Sequence, residues 1–373
     1  MNILMIVQWF GEKEKDYFTG IFHYELAKKI QNYENIAIYF PYDQFIDEEF
    51  EYSIERGILT FRGKARRGIA DIHKYIADLN KINKVFKPDV IHTNVTLNSG
   101  IVGLIGKKFF KIPFINTEHV PVEMMDLTKK GKLKTEIILS SSYYNCAVSP
   151  YLQNELNKLY PHCYFYYISN GVNNPLTYIG NDCTKYSFYK FVNCSVVAGF
   201  YSKEIKGYQY LLPAIKIVRD SGFPIHLHIC GGGKFLDYYK QLAEKLEIQD
   251  NVTFYGNCNK TKLYSILSQM DFNISASIYE SAGVAVQEAC MLGKPQVITK
   301  SGGSDSLIPD KFSVKVETKS VESLSEGITK LCKSFCTYNK NEISRYGQEN
   351  FEMETIAKQY ISIYKRCVME SKM

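Results

Sequence analysis

Apolar residues in this chain fall into short runs separated by stretches with helical spacing, and this alternation occurs twice. In the first half, residues 2–8 read as a buried strand, followed by a loop with Thr19-Gly20 and a helix over 22–31. Residues 36–42 and 58–61 read as strands, 69–85 as a helix and 90–93 as a short strand after Pro88-Asp89. A helix is expected over 99–110, and a strand over 113–117 that runs into Glu118-His119. Strands alternating with helices of this length predict a mainly parallel sheet with helices on both faces. The rhythm breaks over 165–190, which is rich in Asn, Gly, Pro and Tyr, and then restarts. Strands are expected at 191–198, 226–230, 252–255, 271–277 and 296–299, and helices at 207–220, 234–246, 260–268 and 284–292. The chain is therefore expected to form two doubly wound α/β domains, the second beginning near residue 170. From Lys340 onward, Phe351, Ile356, Tyr360, Ile363 and Tyr364 keep helical spacing. No internal repeat or low-complexity tract interrupts this plan.

Composition narrows the picture only slightly. The 373 residues exceed one typical core, and 45% hydrophobic content with mixed charge marks a globular chain. A net charge of +6 permits contact with anionic lipid or a phosphate-bearing ligand without demonstrating either. The ten cysteines, at 146, 163, 183, 194, 230, 258, 290, 332, 336 and 367, form no Cys-x-x-Cys pair. Cys332 and Cys336 share a helical face with no histidine close in sequence, so reduced thiols are expected rather than a metal site or disulfide framework. The amino-terminal apolar run is short and lacks a basic lead, which reads as a strand and not a signal peptide. No stretch approaches the roughly 18 apolar residues of a membrane helix. A cytoplasmic protein is the expectation.

The candidate chemistry concentrates in Glu280-Ser-Ala-Gly283-Val284-Ala-Val-Gln-Glu288, which links an expected strand to an expected helix. The first glutamate falls in the loop and the second about one turn into the helix. Gly283 falls at the helix start, where backbone N–H groups and the helix dipole favour an anion. Such a unit suits a ligand with both phosphate and hydroxyl groups, as in a nucleotide-sugar. It is equally an ordinary βα unit with two solvated glutamates. Ligands of doubly wound sheets bind beyond the carboxyl ends of strands, which adds Thr19-Gly20, Thr117-Glu118-His119 and the loop from Ala198-Gly199 to Lys206-Gly207. Lys206 alone reads as a solvated lysine and His119 alone as a packing residue, while His92 reads as a hydrogen-bonded core histidine. Gly231–Gly233 with Lys234 lacks the phosphate-loop spacing and reads as a strand-end turn. The lysine clusters 107–111 and 129–134 read either as solvated helix faces or as a lipid-facing patch.

In their order, these residues resemble the retaining GT-B glycosyltransferases of family four, also called group 1 glycosyl transferases. The resemblance is carried by Asn170-Gly171-Val172, Ala198-Gly199, Lys206-Gly207, Ile229-Cys230-Gly231-Gly232-Gly233, Phe254-Tyr255-Gly256 and Glu280…Glu288…Gly293-Lys294-Pro295, with Gly302-Gly303 following. In the first half it rests more loosely on Trp9-Phe10, Gly20-Ile21-Phe22, Asp89-Val90-Ile91-His92 and Thr117-Glu118-His119. The resemblance implies two Rossmann-like domains facing a central cleft, 1–168 on the acceptor side and 169–345 binding a nucleotide-sugar, with 346–373 crossing back as a helix to the first. It implies transfer from a nucleotide-sugar donor to a glycan or lipid-linked glycan, with no metal, no cofactor and no nucleic acid, and with peripheral contact to an anionic membrane. His119 and Glu280 would contact the transferred sugar, and Glu288 the ribose. Lys206, the backbone of Gly20 and the helix start at Gly283-Val284 would meet the diphosphate. Where the family usually has an arginine after the strand glycine, this chain has Phe200 or Tyr201, with Lys203 as the candidate substitute. A nucleotide-sugar epimerase of the same fold and a non-catalytic sugar-nucleotide-binding protein remain open. A nicotinamide enzyme is disfavoured, because Gln8-Trp9-Phe10-Gly11-Glu12 lacks G-x-G-x-x-G.

Overall fold

The apolar runs build two sheets, of eight and six strands, in a computed structural model that describes residues 1–11, 19–177 and 192–373. Cys183, the expected strand start at Phe191 and most of the break after residue 177 lie outside the described residues. Two units are distinguished: Met1–Gly171 with Met353–Met373, and Val172–Glu352.

The first unit begins β1 (Asn2–Ile6), α1 (Ile21–Ile30), β2 (Asn35–Phe40), β3 (Phe50–Glu55), β4 (Ile58–Gly63) and α2 (Ile72–Val85). It continues β5 (Val90–Asn94), α3 (Ser99–Phe110), β6 (Phe114–Glu118), α4 (Lys129–Ser141), β7 (Tyr144–Ala147), α5 (Pro150–Leu159) and β8 (Phe165–Tyr167). The sheet order is β3-β4-β2-β1-β5-β6-β7-β8, parallel except for the β3–β4 pair. Ile3, Leu4, Met5 and Ile6 are fully buried because β1 lies mid-sheet with both faces covered, which is why it reads as an unbroken apolar run. Gly100, Gly103 and Gly106 recur every third residue on α3. A Cβ at Gly103 would stand 2.6 Å from Thr93 and 2.7 Å from Phe114, so the bare stripe sets how closely α3 lies on the sheet.

The second unit holds β9 (Val192–Val197), α6 (Tyr208–Asp220), β10 (Ile225–Cys230), α7 (Leu236–Lys245), β11 (Val252–Phe254), α8 (Lys260–Ser268) and β12 (Phe272–Ser275). It ends with α9 (Val284–Met291), β13 (Gln296–Thr299), α10 (Gly303–Leu307), β14 (Ser313–Val316), α11 (Val321–Ser334) and α12 (Lys340–Phe351). Its parallel order, β11-β10-β9-β12-β13-β14, reverses direction between β9 and β12, which is where a doubly wound sheet opens a crevice for a ligand.

The last helix, α13 (Met353–Glu370), belongs to the first unit. Ile356, Tyr360 and Tyr364 are buried in that unit's core. The Tyr364 hydroxyl bonds His92 Nδ1 at 2.8 Å, and Thr117 Oγ1 lies 2.8 Å from His92 Nε2 and 3.2 Å from the Tyr360 hydroxyl. His92 is thus the hydrogen-bonded core histidine expected. Residues 346–352 depart from expectation, because they stay with the second unit. There Val172 N donates to Phe351 O at 2.7 Å, and Gly347 packs against the backbone of Cys290 and Met291 on α9. Glu352, with φ −62° and ψ 128°, separates the two helices.

Candidate functional site

The reversal point of the second sheet gathers the residues that stood out in sequence. After β9 the chain runs to Lys206 and then to Gly207, which caps α6 with φ 69°. Any side chain there would overlap the Ala276 carbonyl oxygen, so glycine lets this turn rest on the end of β12. Ile278 N donates to Ile205 O at 2.8 Å and ties the two loops together. The result is an ion pair: Lys206 Nζ lies 2.7 Å from Glu280 Oε2, an oxygen that also takes a 3.3 Å bond from Ser277 Oγ. The Glu280 backbone is pinned by Ser301 O at 3.1 Å and by the Gly303 N–H at 2.8 Å. The lysine and glutamate side chains keep 30% and 18% of their exposure. A pair that open contributes about 1 kcal/mol or less to stability.

Gly283 caps α9 with φ 77°, and a Cβ there would overlap Ser304 Oγ. The first turn, beginning at Val284, presents backbone N–H groups that the helix itself cannot satisfy. Glu288, the fifth residue of α9, is buried. Its Oε1 accepts from Lys260 Nζ at 2.5 Å and from the Tyr264 hydroxyl at 2.9 Å. Lys260 and Tyr264 stand one turn apart on α8. Neither was singled out from sequence, where a lysine and a tyrosine on an amphipathic helix carry no distinguishing signal.

Lys203 does not join these carboxylates. It is exposed, its ammonium lies 4.1 Å from the centre of the Tyr238 ring, and its carbonyl takes the Tyr239 hydroxyl. Phe200 is fully buried and stacks on Tyr208 at 4.3 Å, whereas Tyr201 is 62% exposed with its ring beside Gly199. The place where the resembled family has an arginine is therefore taken by an aromatic pair, one ring in the core and one at the surface.

In the first unit, Gly20 caps α1, and its missing side chain allows contact with the Trp9 carbonyl. His119 follows β6. Its Nε2 lies 2.9 Å from Asn94 Oδ1, and its ring lies 5.3 Å from Phe22 and 5.2 Å from His23. Burial pushes its pKa down to about 3, so the ring is neutral at ordinary pH. Glu118 is buried beneath it, accepting from the N–H groups of His119 (2.9 Å), Val120 (2.8 Å) and Thr96 (3.1 Å). Burial raises the Glu118 pKa against the opposing pull of those bonds. Val95, between Asn94 and Thr96, has φ 76°, a strained value for a β-branched residue and one often found at functional sites. Sequence pointed to Thr117-Glu118-His119 but not to Asn94 or His23, which reach His119 from β5 and α1. Among the described residues, no three His, Cys, Asp or Glu side chains come together as a metal site.

Residues 190–349, nearly all of the second unit, match the family model "Glycosyl transferases group 1". The second unit belongs to the group 1 glycosyl transferases. An uncharacterized glycosyltransferase of Methanocaldococcus jannaschii is 27% identical over 163 residues, 43% of this chain and 42% of that protein. An uncharacterized 41.2 kDa protein in the cps region of Klebsiella pneumoniae is 26% identical over 335 residues, 82% of this chain and 87% of its own. Anabaena HepE, solved in complex with UDP and glucose, superimposes with a TM-score of 0.76 at 14% identity, covering 98% of this chain and all of that one. At that identity the likeness establishes the fold, which is GT-B. In this glycosyl transferase unit, the Lys206–Glu280 pair and the start of α9 occupy the reversal point.

Proposed function

We propose that the chain is a retaining, metal-independent glycosyltransferase that moves a sugar from a nucleotide-sugar to a hydroxyl of a lipid-linked glycan in surface polysaccharide synthesis. The observation that carries the reading is the Lys206–Glu280 pair at the reversal point, beside the helix start at Gly283. A departing diphosphate gains negative charge, which fixed donors stabilise most where water is excluded. Lys206 supplies one such charge and the amides around Val284 supply dipoles. Glu280 would accept from hydroxyls of the transferred sugar, and Glu288 from the ribose. His119 and the Gly20 backbone keep, from the resemblance, roles toward the sugar and the diphosphate. With no enzymic nucleophile assigned, the acceptor hydroxyl would attack the face the diphosphate leaves, and the diphosphate would take its proton. HepE's UDP and glucose support a nucleotide-sugar donor, and the cps-region relative supports a polysaccharide role. Proton NMR of the product should show the donor's anomeric configuration, with the rate unchanged in EDTA. An inverted product would refute retention, and an EDTA-sensitive rate would refute metal independence.

Contact with the inner membrane face is part of this reading, with the protein cytoplasmic and peripheral. On α4, Leu133 and Ile137 are 59% and 47% exposed beside exposed Lys129 and Lys130. At the end of α3, Phe109 and Lys108 are exposed with Lys111 just beyond the helix, while Lys107 is engaged by Ser141 O at 2.7 Å. No helix among the described residues is long and apolar enough to cross a membrane. Replacing Lys108, Lys111, Lys129 and Lys130 with Glu should weaken binding to anionic vesicles at low salt, where attraction is least screened. Equal binding by parent and variant would remove the membrane patch.

A further inference from the structure

Glu288 sits on α9, a helix with six of its eight residues buried. Its side chain is 3% exposed, while the Lys260 side chain that meets it is 25% exposed and Tyr264 is fully buried. Both donors meet Oε1, and Oε2 takes no hydrogen bond from the described residues. A carboxylate has about four acceptor positions, so two donors on one oxygen leave the other able to accept more. A buried carboxylate without a cation would be costly, and removing one partner of such a pair leaves an uncompensated charge. The lysine therefore supplies the compensating charge, and the buried tyrosine fixes the rotation of the carboxylate.

We propose that Lys260 is a positioning residue of the donor site. With Tyr264 it clamps one oxygen of Glu288, so that the other is presented to the 2′- and 3′-hydroxyls of a ribonucleoside diphosphate. Lys260 thereby sets the preference for ribose over deoxyribose. This rests on the reading of Glu288 as the ribose ligand given above. Preordering matters because a carboxylate that must be immobilised on binding loses affinity to side-chain entropy. Charge matters because hydrogen bonds to an ionised acceptor are roughly twice as strong as neutral ones.

The test is calorimetric titration of the full chain with UDP, ADP and GDP and with their 2′-deoxy forms. The parent protein should bind at least one ribonucleotide about tenfold or more tighter than its deoxy form, as loss of a charge-assisted bond implies. Lys260→Met should bring that ratio to within about threefold, Lys260→Arg should restore it, and Tyr264→Phe should lower it partway. Circular dichroism and a thermal melt establish that each variant is folded; if Lys260→Met is not, the Tyr264→Phe ratio decides. A parent ratio preserved in folded Lys260→Met, or in Tyr264→Phe where it decides, would overturn the role of Lys260 alone. A parent that binds ribo and deoxy forms equally would overturn the ribose role of Glu288, and this inference with it. A parent that binds none of the six would overturn the donor reading itself.

Discussion

Single residues in this protein are explained by partners far away in sequence. Glu280 and Glu288 were conspicuous by their spacing around Gly283, but their cations, Lys206 and Lys260, stand 74 and 28 positions away. Lys206 was legible because it precedes a glycine after a strand, whereas Lys260 had no such neighbour. His92 was legible too, since a histidine inside an apolar run must be hydrogen-bonded to be tolerated. It also yields a pH prediction. Burial pushes its pKa down to about 3 from an ordinary 6.5. Above pH 6.5 the ring is neutral in both folded and unfolded chains. Between 6.5 and 3 the unfolded chain binds a proton that the folded one refuses, so stability present above 6.5 drains away as the pH falls. The slope approaches about 1.4 kcal/mol per pH unit for one such group. In denaturant titrations between pH 6.5 and 4.5, His92→Gln should show a shallower loss than the parent by about that share. Identical slopes would mean that His92 is charged in the folded protein.

Elements were legible where burial on both faces left a plain signal. β1, β5 and β6 read as apolar runs, and the α3, α8 and β13 boundaries agree with the spacing in sequence. β3 was missed because its residues are largely exposed and carry two glutamates, as suits an edge strand paired only with β4. β8 was missed because its three residues lie in a stretch of turn-forming composition. The glycines at helix starts are the elements' most testable feature. Gly207→Ala forces both a positive φ and an overlap with Ala276 O, whereas Gly222→Ala, at φ 91°, meets open space. Gly222→Ala should therefore cost only backbone strain, about 1 kcal/mol, and leave donor binding intact. Gly207→Ala should cost about 2 kcal/mol more and weaken donor binding, because Lys206 moves with the turn. Denaturant midpoints and nucleotide titrations measure both, and equal costs for the two variants would contradict the placement of Lys206.

At the scale of the whole molecule, two doubly wound units were readable from the repeated βα rhythm. The exact ends of the second unit were not, because α12 and α13 share one helical apolar pattern. Only packing separates them, with Gly347 against α9 and Tyr360 and Tyr364 around His92. Donor identity was not legible either, since the glutamate pair reports hydroxyls and phosphate and not the sugar that bears them. The proposed activity requires a site that consumes a nucleotide-sugar with Glu280 on the sugar. Glu280→Ala removes a partly exposed ion pair whose stability contribution is about 1 kcal/mol or less, so the variant should stay folded. The decisive measurement is release of nucleoside diphosphate from a panel of nucleotide-sugars by the parent protein and by folded Glu280→Ala. Turnover of at least one donor by the parent, abolished in the variant, is the predicted result. Near-normal turnover by the variant, or none by the parent on any donor, would contradict it.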